Sequence, residues 1–355
     1  MTVNVSKPAI NVREKLAELD KPTGIAGEAM LRAETPQEQQ ALIGVGRRNV
    51  LINGDFRIAQ RGSGGTVGAA LHYVSDRWQH RSSGSVGGTT TYAQDVVDGT
   101  SRLKVTYSGA TGNAYIQQPI EAQNLYGMWD NYVTVSFYTT DQNPNIFAFG
   151  YNAGGTESTM LPLTRPTYLG NNRWSHTFFL ASPSGGPREG NAYGIGLVFY
   201  PNSQNPPEDG TIEWWGMQFE KGSCATPFEH RSYGEELALC KRYYQEWGRD
   251  NTYAGRLHGI VNSSGTGIFH WDFPVTMRVT PTWTVYGSGT AGGTFTFNTA
   301  SGHTHSATAL SFSNGDLDAR IFNVSGFPSG SYGSTCWVDS GTDSGHIGFV
   351  ADSEL

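Results

Sequence analysis

Residues 222–245 read GSCATPFEHRSYGEELALCKRYYQ, and the reading of this stretch decides the fold. Its first part is loop-like. From Ser232 the signals change. Ser232-Tyr233-Gly234-Glu235 has the spacing of a capping box, in which a hydroxyl closes the first helical turn and a carboxylate three residues on reaches back. Leu237, Cys240, Tyr244 and Trp247 follow at helical spacing, predicting one apolar stripe. Glu235, Glu236, Lys241 and Arg242 would face away from it, and Gly248 is the natural stop. One such helix past the middle of a chain that otherwise reads as strand predicts a connector between two β-domains.

Outward from the helix, the chain on both sides reads as β. On the N-terminal side the expected strands are Val50–Ile52, Thr89–Ala93, Arg102–Tyr107, Ala114–Ile120, Tyr132–Tyr138, Phe147–Tyr151, Trp174–Leu180, Gly194–Tyr200 and Thr211–Phe219. Several alternate apolar and polar residues, as Thr134-Val135-Ser136-Phe137 does, the mark of a half-buried strand. On the C-terminal side they are Ala254–Val261, Gly267–Phe273, Thr282–Tyr286, Gly293–Phe297, Ala307–Phe312, Arg320–Val324, Ser334–Val338 and His346–Val350. With 46 glycines, 17 Tyr, 17 Phe and only 15% charged residues, the composition suits strands joined by tight turns. Residues 1–46 differ: Asn11 can cap a short helix through Asp20, and Thr35-Pro36 with Glu38 starts another. The expected fold is mainly β. Two antiparallel β-sandwich, jelly-roll-like domains (47–230 and 250–355) are joined by a short helix (231–249) and preceded by a short helical arm (1–46).

Charge and composition exclude several partners. A formal net charge of −7 lacks the basic footprint of nucleic-acid binding. No window approaches the ~18 apolar residues of a membrane span, and the first twenty residues have no apolar core of a secretory leader. Cys224, Cys240 and Cys336 have no metal-ligand spacing and read as reduced thiols, with a Cys224–Cys240 bridge left open.

A family resemblance is carried by NVLINGDFRIAQRG (Asn49–Gly62), SDRW (Ser75–Trp78), YIQQPIE (Tyr115–Glu121), VTVSFY (Val133–Tyr138), the block Trp214–Gln245, FPVTMRVTPTWTV (Phe273–Val285) and FVADSEL (Phe349–Leu355). These resemble phage tail-fibre and related virion appendage proteins. GEAMLRAETPQEQQALIGVG (Gly27–Gly46) is similar to virion-docking segments, and the first sandwich to carbohydrate-binding jelly rolls, chiefly through Asn53-Gly54-Asp55-Phe56 and its distance to Trp78. The resemblance implies a homotrimer on the phage particle, docked to other virion proteins through residues 1–46, with 250–355 as a distal tip contacting bacterial surface glycan without catalysis. Two alternatives stay open: a glycan-depolymerising tailspike, and a structural head or baseplate decoration.

For a sugar binder the candidate residues are aromatic, because ring faces stack on sugar C–H groups. Tyr126, Trp129 and Tyr132 form a cluster with Asp130 and Asn131. Trp271, Trp283, Tyr286, Tyr332 and Trp337 form a distal set, ranked by the geometry the resemblance implies. Trp78, Phe137, Trp215 and Phe219 read as core. His303 and His305, two apart as on a strand face, are candidate metal ligands on a trimer axis, against the plainer reading of a polar loop. Asp55 and Asp76 could hold a structural calcium, although turn chemistry alone explains Asn53-Gly54-Asp55. No cofactor is otherwise expected. Glu213, Glu220 and Glu229 are the acids a hydrolase would need; they read as structural.

Overall fold

The computed structural model describes residues 47–67, 71–83, 88–151, 157–183, 193–201, 207–247, 256–262, 265–287, 295–299, 304–307, 309–315, 319–325, 335–339 and 347–354. The arm expected over 1–46 lies outside the described residues, as do Tyr332 and His303. The fold is mainly β, as the sequence predicts.

Apolar–polar alternation builds the first sandwich. A seven-stranded sheet runs in the order β1 (Gly64–Thr66), β4 (Thr89–Val97), β5 (Thr100–Ser108), β13 (Gly210–Lys221), β7 (Asn131–Thr139), β11 (Arg173–Leu180), β10 (Thr167–Gly170). A six-stranded sheet runs β2 (Leu71–Ser75), β3 (Trp78–Ser83), β6 (Asn113–Glu121), β12 (Tyr193–Tyr200), β8 (Asn145–Tyr151), β9 (Glu157–Thr164). All the pairings are antiparallel. One core joins the two sheets: Leu103, Val105, Val133, Val135 and Phe137 from the first meet Ile116, Ile146, Leu197 and Phe199 from the second. Period-two strands give each sheet one apolar face, and the apolar faces pack together.

The motif residues Asn53 and Ser75–Trp78 do more than turn the chain. The Asn53 amide donates to the carbonyls of Ile58 and Asp76 and to Ser75 Oγ, while Trp78 Nε1 donates to the Asn53 carbonyl at 2.9 Å. Asn53 is fully buried, so this network answers its polar groups internally.

Helix α1 spans Tyr233–Lys241, with Ser232 Oγ accepting from Glu235 N at 3.3 Å as the capping box predicts. It is shorter than the sequence suggests. Tyr244–Trp247 is a strand, β14, and not the last helical turn. These β-forming residues pair with β23 (Ile347–Asp352), and pairing with a sheet outweighs the weak preference of a helix end. Glu236 does not face away: its side chain is buried, accepts from Asn53 N and pairs with Arg231 at 3.1 Å. Val50–Ile52, expected as a strand, is irregular chain whose Leu51 and Ile52 are buried.

The second domain has a three-stranded sheet, β14–β23–β17 (Thr282–Gly287). Its seven-stranded sheet runs β19 (Thr304–Ala307), β18 (Phe295–Thr299), β22 (Thr335–Asp339), β15 (Arg256–Val261), β16 (Thr266–Asp272), β21 (Ala319–Ser325), β20 (Ala309–Gly315). Leu257, Phe269 and Trp271 of the larger sheet share a core with Phe349 and Ala351 of the smaller.

Candidate functional site

The chain leaves β6 through a single 3-10 turn, Ala122–Leu125, and enters β7 through a tight loop that displays Tyr126 almost completely, at 94% exposure. Asp130 takes a left-handed φ of 57° in that loop. Its carboxylate accepts from Ser182 N at 2.9 Å and Ser182 Oγ at 2.7 Å. These bonds, the backbone one first, hold the Asp130 carboxyl below its ordinary range. The Asn131 amide donates to the Trp129 carbonyl at 2.8 Å, and the Trp129 ring packs partly against the core. Tyr132 points outward and is 59% exposed. Opposite it across β7 and β11 stands Phe179, 49% exposed, with ring centroids 5.6 Å apart at 74°.

Tyr126, Tyr132 and Phe179 therefore lie at one end of the seven-stranded sheet, flanked by an oriented carboxylate and an amide. Phe179 is the residue that sequence reasoning missed. The signal was present: in Phe178-Phe179 only one ring can face the core, and Phe178 is the buried one.

The segment Gly222–Arg231 crosses the outside of this sheet as a strap. Thr134 Oγ1 donates to the Gly222 carbonyl at 2.8 Å and Thr177 Oγ1 to the Ser223 carbonyl at 3.2 Å. Arg173 donates to the Thr226 carbonyl, and Thr226 is further held by Gln218 and Glu220. The strap separates Tyr132 and Phe179 from a second aromatic group, Trp215 and Tyr138, cross-strand neighbours stacked at 5.6 Å and 19°. Trp215, expected in the core, is on the outer face. A bulge at Gly216, with φ 57°, shifts the alternation so that Trp214 faces inward with Met217 and Phe219. Arg102 sits 4.2 Å from the Trp215 ring and Arg173 5.6 Å from that of Tyr138. The stacking and the arginines occupy the ring faces here.

On the outer face of the six-stranded sheet, Arg81 pairs with Tyr115, and the Tyr115 and Tyr200 rings are 4.8 Å apart. Burial, then Tyr115, pushes the Tyr200 hydroxyl up to about 12. Both rings are half-buried.

The distal set fares differently. Trp271 is 7% exposed and belongs to the second core, which corrects its reading as a ligand platform. Trp283 packs against that core, stacked on Phe273 at 5.8 Å and edge-on to Trp271 at 5.6 Å. Tyr286 lies on β17, Trp337 on β22 and His305 on β19. Among the described residues no group of three or more His, Cys, Asp or Glu surrounds a common point. Asp55 pairs with Arg57 through Oδ2 alone, its buried Oδ1 having no hydrogen-bond partner, and Asp76 accepts from Gln60 N and Nε2, each at 2.7 Å, so protein donors already engage Asp76 and one oxygen of Asp55. All three cysteines are free thiols.

The acids weighed for hydrolysis are similarly engaged. Glu213 pairs with Arg102 at 2.7 Å and Lys104 at 3.4 Å, Glu220 accepts from Thr226 and Gln218, and Glu229 from the amides of Arg48 and Asn49. Burial pushes Asp76 up to about 6 against the opposing pull of Arg61, but its side chain lies inside the junction between the domains.

No protein-family model and no curated protein matches the chain. Among solved structures it is similar to the enzymatically active domain of tailspike protein 4 of bacteriophage CBA120, at 15% identity and TM-score 0.31. That likeness covers 49% of this chain and only 21% of that one. It is also similar to the CBM22-1 xylan-binding domain of Paenibacillus barcinonensis Xyn10C, at 10% identity and TM-score 0.27, covering 51% and 100%. A further likeness is to the CBM22-1–CBM22-2 tandem of the same protein, at 11% identity and TM-score 0.27, covering 82% and 99%. These likenesses assign no activity.

Proposed function

We propose that the first sandwich binds polysaccharide, without cleaving it, through Tyr126, Tyr132 and Phe179. The observation that carries this reading is the exposed Tyr132–Phe179 pair, with Tyr126 exposed in the loop that leads into the strand of Tyr132, because burial elsewhere takes most large rings out of contact with solvent. Exposed rings with a fixed carboxylate and amide beside them suit the apolar faces and hydroxyls of a sugar. The engagement of Glu213, Glu220 and Glu229 by protein donors supports binding over hydrolysis.

The wider setting rests on the sequence resemblance. In it, the protein is a phage virion appendage that attaches the particle to a bacterial surface, docks through residues 1–46 and acts as a homotrimer. Weak contacts in each copy would be combined by trivalency.

The test is binding of the full chain to isolated bacterial surface polysaccharide, with released reducing ends followed in the same samples. Saturable binding without new ends, weakened about tenfold (about 1.4 kcal/mol) by Tyr132→Ala or Phe179→Ala, is the expected result. New reducing ends would replace this reading with a depolymerase. No binding at all would favour a decoration protein.

A further inference from the structure

We propose that Asp352–Glu354 form a clasp that fixes the second β-domain against the first, and that opening the clasp lets the two domains separate as folded bodies. This inference is independent of the glycan reading.

The geometry is that of a carboxylate set into a prepared slot. The Glu354 side chain is 5% exposed and is received by Arg77, itself 1% exposed, and by Arg61 at 3.3 Å. Arg61 also holds Asp352 at 3.1 Å. Both arginines belong to the first sandwich, and each is held by aromatic rings as well as by the carboxylates. The Arg61 guanidinium lies 4.2 Å from the Tyr73 ring and 3.7 Å from that of Tyr244, and the Arg77 guanidinium 3.5 Å from that of Tyr243. Arg77 Nη2 also donates to the Pro119 carbonyl at 2.6 Å. From the other side, Arg278 grips the same segment by its backbone, donating to the Ser353 carbonyl at 2.7 Å and the Glu354 carbonyl at 3.2 Å. Ser353 N donates to the Tyr243 carbonyl at 2.8 Å.

The apolar cores explain why this is a removable fastening. The core of the first sandwich draws its buried members from Leu51 to Phe219, and that of the second domain from Leu257 to Ala351. A small third cluster, Ile52, Ile58, Cys240 and Tyr243, ties the helix to the first sandwich. Among the described residues no apolar core cluster includes buried members of both domains. The side-chain links from Arg61 and Arg77 to residues 352–354 are ionic. A buried ion pair depends on both partners, because either one left alone is an uncompensated charge. Loss of one partner should therefore open the junction while each core persists. The Tyr243–Tyr244 segment would be the pivot, since Tyr243 is bonded to Glu121 and the Tyr244 carbonyl to Gln60 on the sandwich side.

The experiment compares the full chain with the Asp352→Asn/Glu354→Gln variant and with Arg61→Met, which breaks the clasp from the opposite side. Calorimetry should show one transition for the parent and two for each variant. X-ray scattering should show a larger radius of gyration with the β-type circular dichroism retained. Combining Arg61→Met with Glu354→Gln should add little to either change, because both act on one fastening. A single unshifted transition with unchanged scattering would overturn the proposal. So would loss of the β signal in both variants, which would make these residues part of a domain's own stability.

Discussion

A single glycine decides which tryptophan of the Trp214-Trp215 pair becomes core. At φ 57° Gly216 holds a bulge, and a Cβ there would lie 2.9 Å from the Tyr138 ring. Gly216→Ala should lose about 2 kcal/mol in denaturant unfolding, the left-handed backbone costing about 1–2 kcal/mol before any ring shift. Parental stability would show that the bulge relaxes around a side chain. His80 sets a second residue-scale expectation. Buried, with neither ring nitrogen hydrogen-bonded, it is lowered to about 4, by burial first and then by His72. The folded state disfavours the proton. Its contribution is therefore present above the ordinary histidine value of about 6.5 and is lost as pH falls through about 4. His80→Phe should flatten the acid limb of a stability–pH curve in that window, and an unchanged limb would locate the acid sensitivity elsewhere. Asp76, raised to about 6, acts in the opposite sense: its contribution is present below the ordinary aspartate value and is lost as pH rises through about 6.

Helix α1 shows how an element can be legible in its start and hidden in its end. The capping box is local and was readable, because cap and first turn are three residues apart. The end was not, because Tyr244–Trp247 follows helical spacing in sequence but finds its hydrogen bonds on β23, about a hundred residues away. Two residues near the start of the helix also differ in energetic weight. Ser232→Ala removes one exposed 3.3 Å bond and should cost about 0.5–1 kcal/mol. Glu236→Ala would leave Arg231 buried beside an empty place and should cost about 3 kcal/mol or more in the same denaturation assay. Equal losses would mean that α1 is held by its cap and not by its anchor in the first sandwich.

For the whole molecule, affinity depends on how many copies act together. If the protein is the trimer implied by its sequence resemblance, binding to immobilised polysaccharide should exceed binding to a short soluble oligosaccharide by roughly a hundredfold or more. Light scattering on the same sample should give three chains per particle. A monomer with equal affinity for both would remove the trivalent part of the proposed function. The clasp belongs to this scale too, since a fixed angle between the domains would orient every copy alike on a surface.

The sequence by itself determined the β class, most strand positions, the helix start and the outward placement of Tyr126 and Tyr132, because alternation, capping and turn chemistry act over a few residues. The tertiary structure decided the partner Phe179, the outward turn of Trp215, the burial of Trp271, the strap over the seven-stranded sheet and the slot for Glu354. Apart from the turn of Trp215, which the Gly216 bulge sets, each of these depends on which distant strand lies alongside. Strand pairing sets which face of a residue meets the core and which charge meets its partner, and no local spacing in the chain encodes it.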